Sequence, residues 1–334
     1  MNKIVDPFQA EVYQTAAYRD MHSVLMPFPI LIDVEPSSAC NLDCLFCARQ
    51  VMTRPPAMLP LAVLKQVVDE MRRHRPTSLR FSGWGEPTLN PEIVEFVRYA
   101  RASGILVHLT TNATLLSREL GLALLQAGLN KIKFSLQGLT AREYERMRRP
   151  RRHDDPRCGY AVVERNIETF VENRNLLSAP CHVQVSVSML KNEQQEPGLQ
   201  QAFFDRWYPL ADSIWGLGKV GVYGGKPLLT SFQRAKESGR VAAVDLRQGR
   251  PLRQLDVNRG KKCSELYNKL SISAQGVIKA CCDDYDDQLA LGRVGVDSIE
   301  ALWQGRALKG LRLDVESGEP DRVPRFCQGC DNYM

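Results

Sequence analysis

The sequence predicts an α/β fold, a partial (β/α)6 barrel followed by a small C-terminal β-hairpin plus helix. Three observations carry that expectation. Strand-like and helix-like segments alternate from residue 29 to about residue 215, the alternation breaks in a stretch rich in Gly, Arg and Lys, and a hairpin pattern begins after Cys263. Strands alternating with helices imply βαβ units and a parallel sheet. A closed eight-fold barrel takes roughly 250 residues, and the alternating stretch is shorter, so a partial barrel with six repeats is expected.

The elements follow in order. "PILIDVE" (29–35) puts Ile30, Ile32 and Val34 on one face, the period of a strand, and "PLAVLKQVVDEMRRH" (60–74) spaces Leu64, Val67, Val68 and Met71 as a helix does. "SLRFSG", the helix-like "PEIVEFVRYARASG", "ILVHLTTN", "LLSRELGLALLQAG" and "KIKFSL" continue the alternation. A helix from Tyr160 to about Asn175, the strand "HVQVSVSM", the helix "LQQAFFDRWYPLA" and a last strand at "SIWGLG" complete it. Gly104 and Gly128 sit where helix C-caps are wanted. The expected organisation is an N-terminal extension (1–28), the barrel (29–218), a linker or loop region (219–262) and the C-terminal domain (263–334). Within the last, "LSISAQGVIKACC" reads as a hairpin turning near Gln275-Gly276, followed by acidic "DDYDD" and a helix-like "DSIEALWQGRALKGLR".

The 334 residues are 44% hydrophobic and 25% charged, with a net charge of +6, the balance of an ordinary globular protein. The basic excess is too small and scattered to argue for nucleic acid. No apolar stretch suits a signal peptide or a membrane span. Ten cysteines without a secretory signal point to metal or redox chemistry in a reducing compartment, which makes the cytoplasm the expected location.

Cys40, Cys44 and Cys47 fall at C-x3-C-x2-C spacing just after the first strand, at the end of the barrel where parallel strands place their sites. Soft thiolates favour zinc, copper(I) or iron–sulfur clusters. Three ligands leave one coordination position open, and in a [4Fe–4S] cluster that open iron can bind a substrate. The bland reading is a zinc knuckle completed by a distant His or Cys.

The cysteine spacing after the first barrel strand resembles the radical S-adenosylmethionine (radical SAM) enzymes, whose fold is a partial TIM-like barrel. The resemblance implies a [4Fe–4S] cluster on Cys40, Cys44 and Cys47, with S-adenosylmethionine chelated to its open iron. It implies reductive cleavage to a 5′-deoxyadenosyl radical that abstracts hydrogen from substrate, with Phe46 near the adenine. "FSGWGEP" (81–87) resembles the family's GGEP motif, so Gly83, Trp84, Gly85 and Glu86 are expected to border the methionine amino group. "TTNAT" resembles the T-N-G stretch and marks Asn112, and "SLQG" marks Ser135 and Gln137 for the ribose or carboxylate. Gln137 stands where many relatives carry Asp, which keeps hydrogen bonding but loses the charge. Asn192 matches a loosely defined adenine- or ribose-side Asn.

The later cysteines resemble the twitch domain, a shortened SPASM domain. Cys263, Cys281, Cys327 and Cys330 are then the expected ligands of one auxiliary [4Fe–4S] cluster. Cys282 is the alternative to Cys281, because adjacent side chains on a strand point to opposite faces. A full SPASM domain continues with further cysteines, and this chain stops at Met334, so one auxiliary cluster is expected. A four-cysteine structural zinc site is the competing reading. Cys158 and Cys181 read as bystanders, "DDYDD" (283–287) as a solvated acidic loop, and most of "RMRRPRRHDDPR" (146–157) as a solvated basic loop that could lend one arginine to the site. His153 and His182 show no partner spacing.

The resemblance implies oxidation of a secondary alcohol to a ketone on a small polar substrate such as a sugar, cyclitol or aminoglycoside, in a biosynthetic pathway such as antibiotic biosynthesis. A radical dehydratase, epimerase or decarboxylase on a sugar or nucleoside, and a peptide-modifying maturase, are the alternatives within the family; a zinc-binding interaction module is the alternative outside it. The expected partners are a small-molecule substrate and a reductant such as flavodoxin or ferredoxin, with no nucleic acid and no membrane. The catalytic base is not legible.

Overall fold

The computed structural model describes residues 3–8, 26–74, 77–152, 155–188, 197–216, 222–223, 226–227, 262–319 and 321–327. The barrel strands are β1 (Leu31–Val34), β3 (Ser78–Phe81), β4 (Leu106–Thr111), β5 (Lys131–Gln137), β7 (His182–Ser188) and β8 (Ser213–Trp215), paired in parallel in that order. The expected strand at "SIWGLG" is β8, so the six-strand partial barrel stands. Between the strands run α1 (Leu61–Met71), α2 (Ile93–Ala102), α3 (Arg118–Gln126), α4 (Ala141–Met147), α5 (Tyr160–Leu176) and α6 (Pro197–Trp207). Each helix buries the face its sequence period marks out: α1 buries Leu64, Val67, Val68 and Met71. Gly104 and Gly128 adopt φ of 73° and 87°, the left-handed conformation their cap positions require.

The C-terminal region is not a separate layer. Its helix α7 (Ser264–Asn268) leads into β11 (Lys269–Ile272), which pairs in parallel with β1 and extends the barrel sheet. Then β12 (Val277–Lys279) and β13 (Ala290–Arg293) pair antiparallel, giving a nine-stranded sheet. The hairpin turns at Gly276, with φ of 76°. The expected single helix after it is two, α8 (Ile299–Trp303) and α9 (Arg306–Ser317), because the chain breaks at Gln304-Gly305 and Gly305 starts the second as its N-cap. Of the 219–262 linker region, nearly all lies outside the described residues; the part described holds a short antiparallel pair, β9 (Val222–Tyr223) and β10 (Lys226–Pro227).

Alternate positions divide the sheet into two chemically opposite faces. Ile32, Val34, Leu79, Phe81, Val107, Leu109, Ile132, Phe134, Val183 and Val185 belong to the apolar core. Each such side chain contributes about 1.5–3 kcal/mol when fully buried, so packing against the helices leaves the inner face free to be polar. On that inner face, register aligns Asp33, Arg80, His108, Lys131 and His182 in one row. The next row holds Thr110, Lys133, Gln184 and Ser213, and the one above it Ser135, Ser186 and Trp215. Residues 3–8 close the lower end: Lys131 pairs with Asp6, the His182 ring bonds Ile4 O and Ser213 Oγ, and Phe8 packs edge-on against His108.

Candidate active site

The loop after β1 is fastened from two sides. The short strand β2 (Leu42–Cys44) pairs antiparallel with β6 (Arg148–Pro150), so the first cysteine loop is a ribbon with the basic segment after α4. Leu45 N bonds Met147 O at 3.0 Å and Arg151 N bonds Asn41 O at 2.9 Å, extending that seam. On the barrel side, Glu86 N donates to Ala39 O at 2.8 Å. Gly85 lies so close that an added Cβ would meet Ser37 O at 2.0 Å and Ala39 O at 2.5 Å. Only glycine permits that approach.

Cys44, Leu42 and Cys158 form a small buried cluster against which Cys40, Phe46 and Cys47 pack. Burial pushes all three motif thiols up, Cys47 to about 11; the charge of Cys40 adds to the rise at Cys44 and Cys47, that of Cys47 to the rise at Cys44, and that of Glu86 to the rise at Cys40. Among the described residues no three His, Cys, Asp or Glu side chains gather tightly enough to hold a single metal ion. Cys158, read as a bystander, accepts a hydrogen bond from Asn41 Nδ2 at 3.6 Å and so borders the loop.

Glu86 is 2% exposed and organises the ends of β3 and β4. Its Oε1 accepts from Thr88 N, Thr88 Oγ1 and Thr111 Oγ1, and its Oε2 accepts from Asn112 N at 2.8 Å. Asn112 Nδ2 in turn lies 3.9 Å from Cys40 Sγ and 3.2 Å from Asn41 Oδ1. The structure thus joins the GWGEP and TTN motifs to the cysteine loop. Ser135 and Gln137 are joined to it by a residue that sequence reasoning had not singled out. Arg148 donates to Ser135 Oγ at 2.9 Å and to Gln137 Oε1 at 3.4 Å, stacks on Tyr144, and lies close enough to offset the raised pKa of Cys44. Its Nε is buried without a hydrogen-bond partner. The six-arginine run was the signal. Arg149, Arg151, Arg152 and Arg157 are exposed as expected, and pairing of β6 with β2 turns Arg148 inward.

Glu35, immediately after β1, is a second residue missed at the sequence level. Its carboxylate takes Arg54 Nη2 at 2.7 Å, Trp84 N at 3.0 Å and Ala274 N at 3.1 Å, joining the cysteine loop, the GWGEP turn and the C-terminal hairpin. Arg54 completes the junction through Tyr285 O and Gln275 Oε1, and Asp286 receives Thr53 N and Arg54 N. Trp84 packs in the same wall, edge-on to Tyr285 with ring centres 5.9 Å apart, in a cluster that includes Cys47 and Phe326.

The acidic run is therefore not a solvated loop. Asp284 is fully buried and accepts Gln288 N and Leu289 N, and Asp287 pairs with Lys279 at 3.0 Å. Cys263 and Cys281 are both buried and electrostatically coupled. Cys327 packs against the same core, while Cys330 and Asn192 lie outside the described residues. The opposite-face argument for Cys281 and Cys282 does not apply, because β12 ends at Lys279 and the two thiols are hydrogen-bonded to each other in the following turn. Cys282 lies 3.1 Å from Glu265 Oε2 and, with Asp33, Glu35, Arg80, Ser271 and Lys279, lines an open-mouthed cavity of about 90 Å³ on the inner face.

Residues 34–175 match the Radical SAM superfamily and residues 263–331 the SPASM iron-sulfur cluster-binding domain. The PqqA peptide cyclase of Rhodopseudomonas palustris is 38% identical over 114 residues, which cover 34% of this chain and 30% of that protein. The curated relatives that resemble the chain in sequence are thus matched over less than half their length. Over nearly the whole chain the fold is similar to two solved structures. One is BtrN in complex with AdoMet and 2-DOIA (TM-score 0.52, 14% identity, covering 91% of this chain and 93% of that one). The other is anSMEcpe with bound AdoMet (TM-score 0.60, 16% identity, covering 90% and 95%). The chain thus carries a domain of the Radical SAM superfamily followed by a SPASM domain. A radical SAM domain implies S-adenosylmethionine and a [4Fe–4S] cluster, and a SPASM domain implies auxiliary iron–sulfur clusters. Among the described residues no helix is long and apolar enough to cross a membrane.

Proposed function

We propose that the chain oxidises a secondary alcohol on a small polar molecule of the sugar, cyclitol or aminoglycoside class. The observation that carries this reading is the inner face of the sheet, polar in the row of Asp33, Arg80, His108, Lys131 and His182 and again in the row of Thr110, Lys133, Gln184 and Ser213. Buried polar groups require hydrogen-bonding partners. Most of these groups are met within the fold, but His108 Nε2 is buried with no hydrogen-bond partner and Lys133 faces only the Trp215 ring, and a hydroxylated substrate supplies what an apolar side chain would leave unmet.

The residues present fit the implied cofactors. Three soft thiols converge at residues 40–47 beside the unmet Nε of Arg148, a donor suited to a carboxylate. Cys40, Cys44 and Cys47 would hold the first cluster; Arg148 and Ser135 would receive the carboxylate of S-adenosylmethionine, with Gln137 beside them. Glu86 Oε2, which accepts one hydrogen bond, retains capacity for an ammonium donor. Phe46 and Trp84 would wall the site, Gly83 and Gly85 admit close approach, and Asn112 bridges to Cys40. Cys263, Cys281, Cys327 and Cys330 would hold the auxiliary cluster. When bound, these groups supply a carbon-centred radical that takes a carbon-bound hydrogen and an acceptor for the second electron. The chain's own part is to hold the substrate against the polar inner face and to close the lower end of the barrel with residues 3–8.

Peptide modification is the second reading, favoured by the sequence similarity to a peptide cyclase. Anaerobically reconstituted protein with dithionite and S-adenosylmethionine decides between them. A ketone formed from a sugar, cyclitol or aminoglycoside with stoichiometric 5′-deoxyadenosine supports the alcohol oxidation. Product only from a precursor peptide overturns it.

A further inference from the structure

We infer that the barrel chamber seats an anionic group of the substrate, a carboxylate or phosphate, on Lys133. The inference deepens the small-substrate reading above and rests on it.

Charge pairing on the inner face singles out this lysine. Arg80 is held by Asp33 through Nε at 2.6 Å and a second bond from Nη2, and Lys131 by Asp6. Lys269 pairs with Glu265 at 2.6 Å and reaches Asp33 at 3.6 Å, and Lys279 pairs with Asp287 at 3.0 Å. Lys133 has no carboxylate partner among the described residues; its ammonium lies 5.2 Å from the centre of the Trp215 ring. Arg148 also lacks a carboxylate, but it is bonded to Ser135 and Gln137 and lies against the thiols.

The surroundings ask for an anion. Burial first, then Arg80, Lys131 and Lys269, together lower the Lys133 pKa to about 8 against the single opposing charge of Asp33, which Arg80 and Lys269 already share. An ammonium crowded by three cations gains more from a bound anion than one already paired. Asp33 and Arg80, both within electrostatic reach of Lys133, line the cavity. In the strand row that holds Asp33 and Arg80, directly below that of Lys133, Ser271 Oγ and His108 Nε2 are buried with no hydrogen-bond partner. Burial and the nearby cations hold His108 neutral, so its ring can accept from a hydroxyl. A cation, an unmet hydroxyl and an unmet imidazole together describe an anionic polyol.

The test uses reconstituted holoprotein with S-adenosylmethionine, titrated calorimetrically under anaerobic conditions with glucuronate, glucose 6-phosphate, glucose and glucosamine. At least one anionic probe is expected to bind tenfold or more tighter than glucose, with Lys133→Gln abolishing that preference and Lys133→Arg retaining most of it. Preference for glucuronate assigns the carboxylate, and preference for glucose 6-phosphate the phosphate. Equal binding of charged and neutral probes, stronger binding of glucosamine, or an unchanged preference in Lys133→Gln overturns the inference. If Lys133→Gln fails to load iron, the wild-type ranking and the Lys133→Arg variant still decide. Wild-type 5′-deoxyadenosine formation is measured alongside. Its absence overturns the enzymatic reading whatever the probes do, and its presence without anion preference overturns this inference alone.

Discussion

Cys40, Cys44 and Cys47 sit within residues 40–47 and share one loop, whereas Cys263, Cys281 and Cys327 come from a helix N-cap, the turn after β12 and a late 3₁₀ segment. The first group is positioned by its own ribbon with β6 and by Gly85 beneath it. The second depends on β11 joining β1, a contact between residues more than two hundred positions apart. Local sequence can bring together a thiol set of the first kind, while the second is assembled only when the sheet is complete. The two are nevertheless one wall: Trp84 and Tyr285 pack edge-on in a cluster that takes in Cys47, and Tyr285 in turn packs on Phe326.

The comparison can be broken most sharply at the first loop. Replacing Cys40, Cys44 and Cys47 with Ala is expected to abolish 5′-deoxyadenosine formation and to lower iron from about eight to about four per chain, two four-iron clusters being implied by the paired sites. Iron analysis and product assay check it; retained cleavage activity would remove the assignment. At the second region, Cys281→Ala is expected to lose about four irons and Cys282→Ala none, since Cys281 is the thiol coupled to Cys263. The reverse pattern in iron content and Mössbauer spectra would move the ligand to Cys282.

The shared junction should respond to Glu35→Ala. Removing the buried partner of Arg54 leaves an unpaired charge, which costs about 3–5 kcal/mol, and the loss is expected in urea unfolding together with weaker iron retention at both regions. An effect confined to one region would show that they are held independently. Gly85→Ala is smaller, about 1–3 kcal/mol for forced overpacking, with iron loss expected first at residues 40–47. The smallest effect concerns acid. Burial would raise the Asp33 pKa, but Arg80 and Lys269 outweigh it and hold the carboxyl below its usual value. Asp33 therefore contributes stability above the ordinary Asp value of about 3.9, and that contribution is lost as pH falls through the depressed folded value. Asp33→Asn should flatten this part of the stability–pH curve.

The residues themselves show where the sequence was legible. The strand at residues 29–35, the helix at residues 60–74 and the hairpin turn at Gly276 follow from periodicity and glycine chemistry, which act over a few neighbours. The C-x3-C-x2-C loop is legible for the same reason. Arg148 is not, because six arginines look alike until β6 pairs with β2 and buries one of them. The acidic run looked solvated because charge is usually exposed; Asp284 is buried because it satisfies Gln288 N and Leu289 N within its own turn.

Sequence alone determined the alternating strands and helices and the close spacing of the first thiol set, since each depends on spacing along the chain. Tertiary structure alone decided that the C-terminal hairpin extends the barrel sheet, that Glu35 and Arg54 lock the two cysteine regions together, and that Lys133 faces the barrel interior with no carboxylate paired to it among the described residues. Those are properties of distance between remote residues, and burial and Coulomb energies act through distance in space.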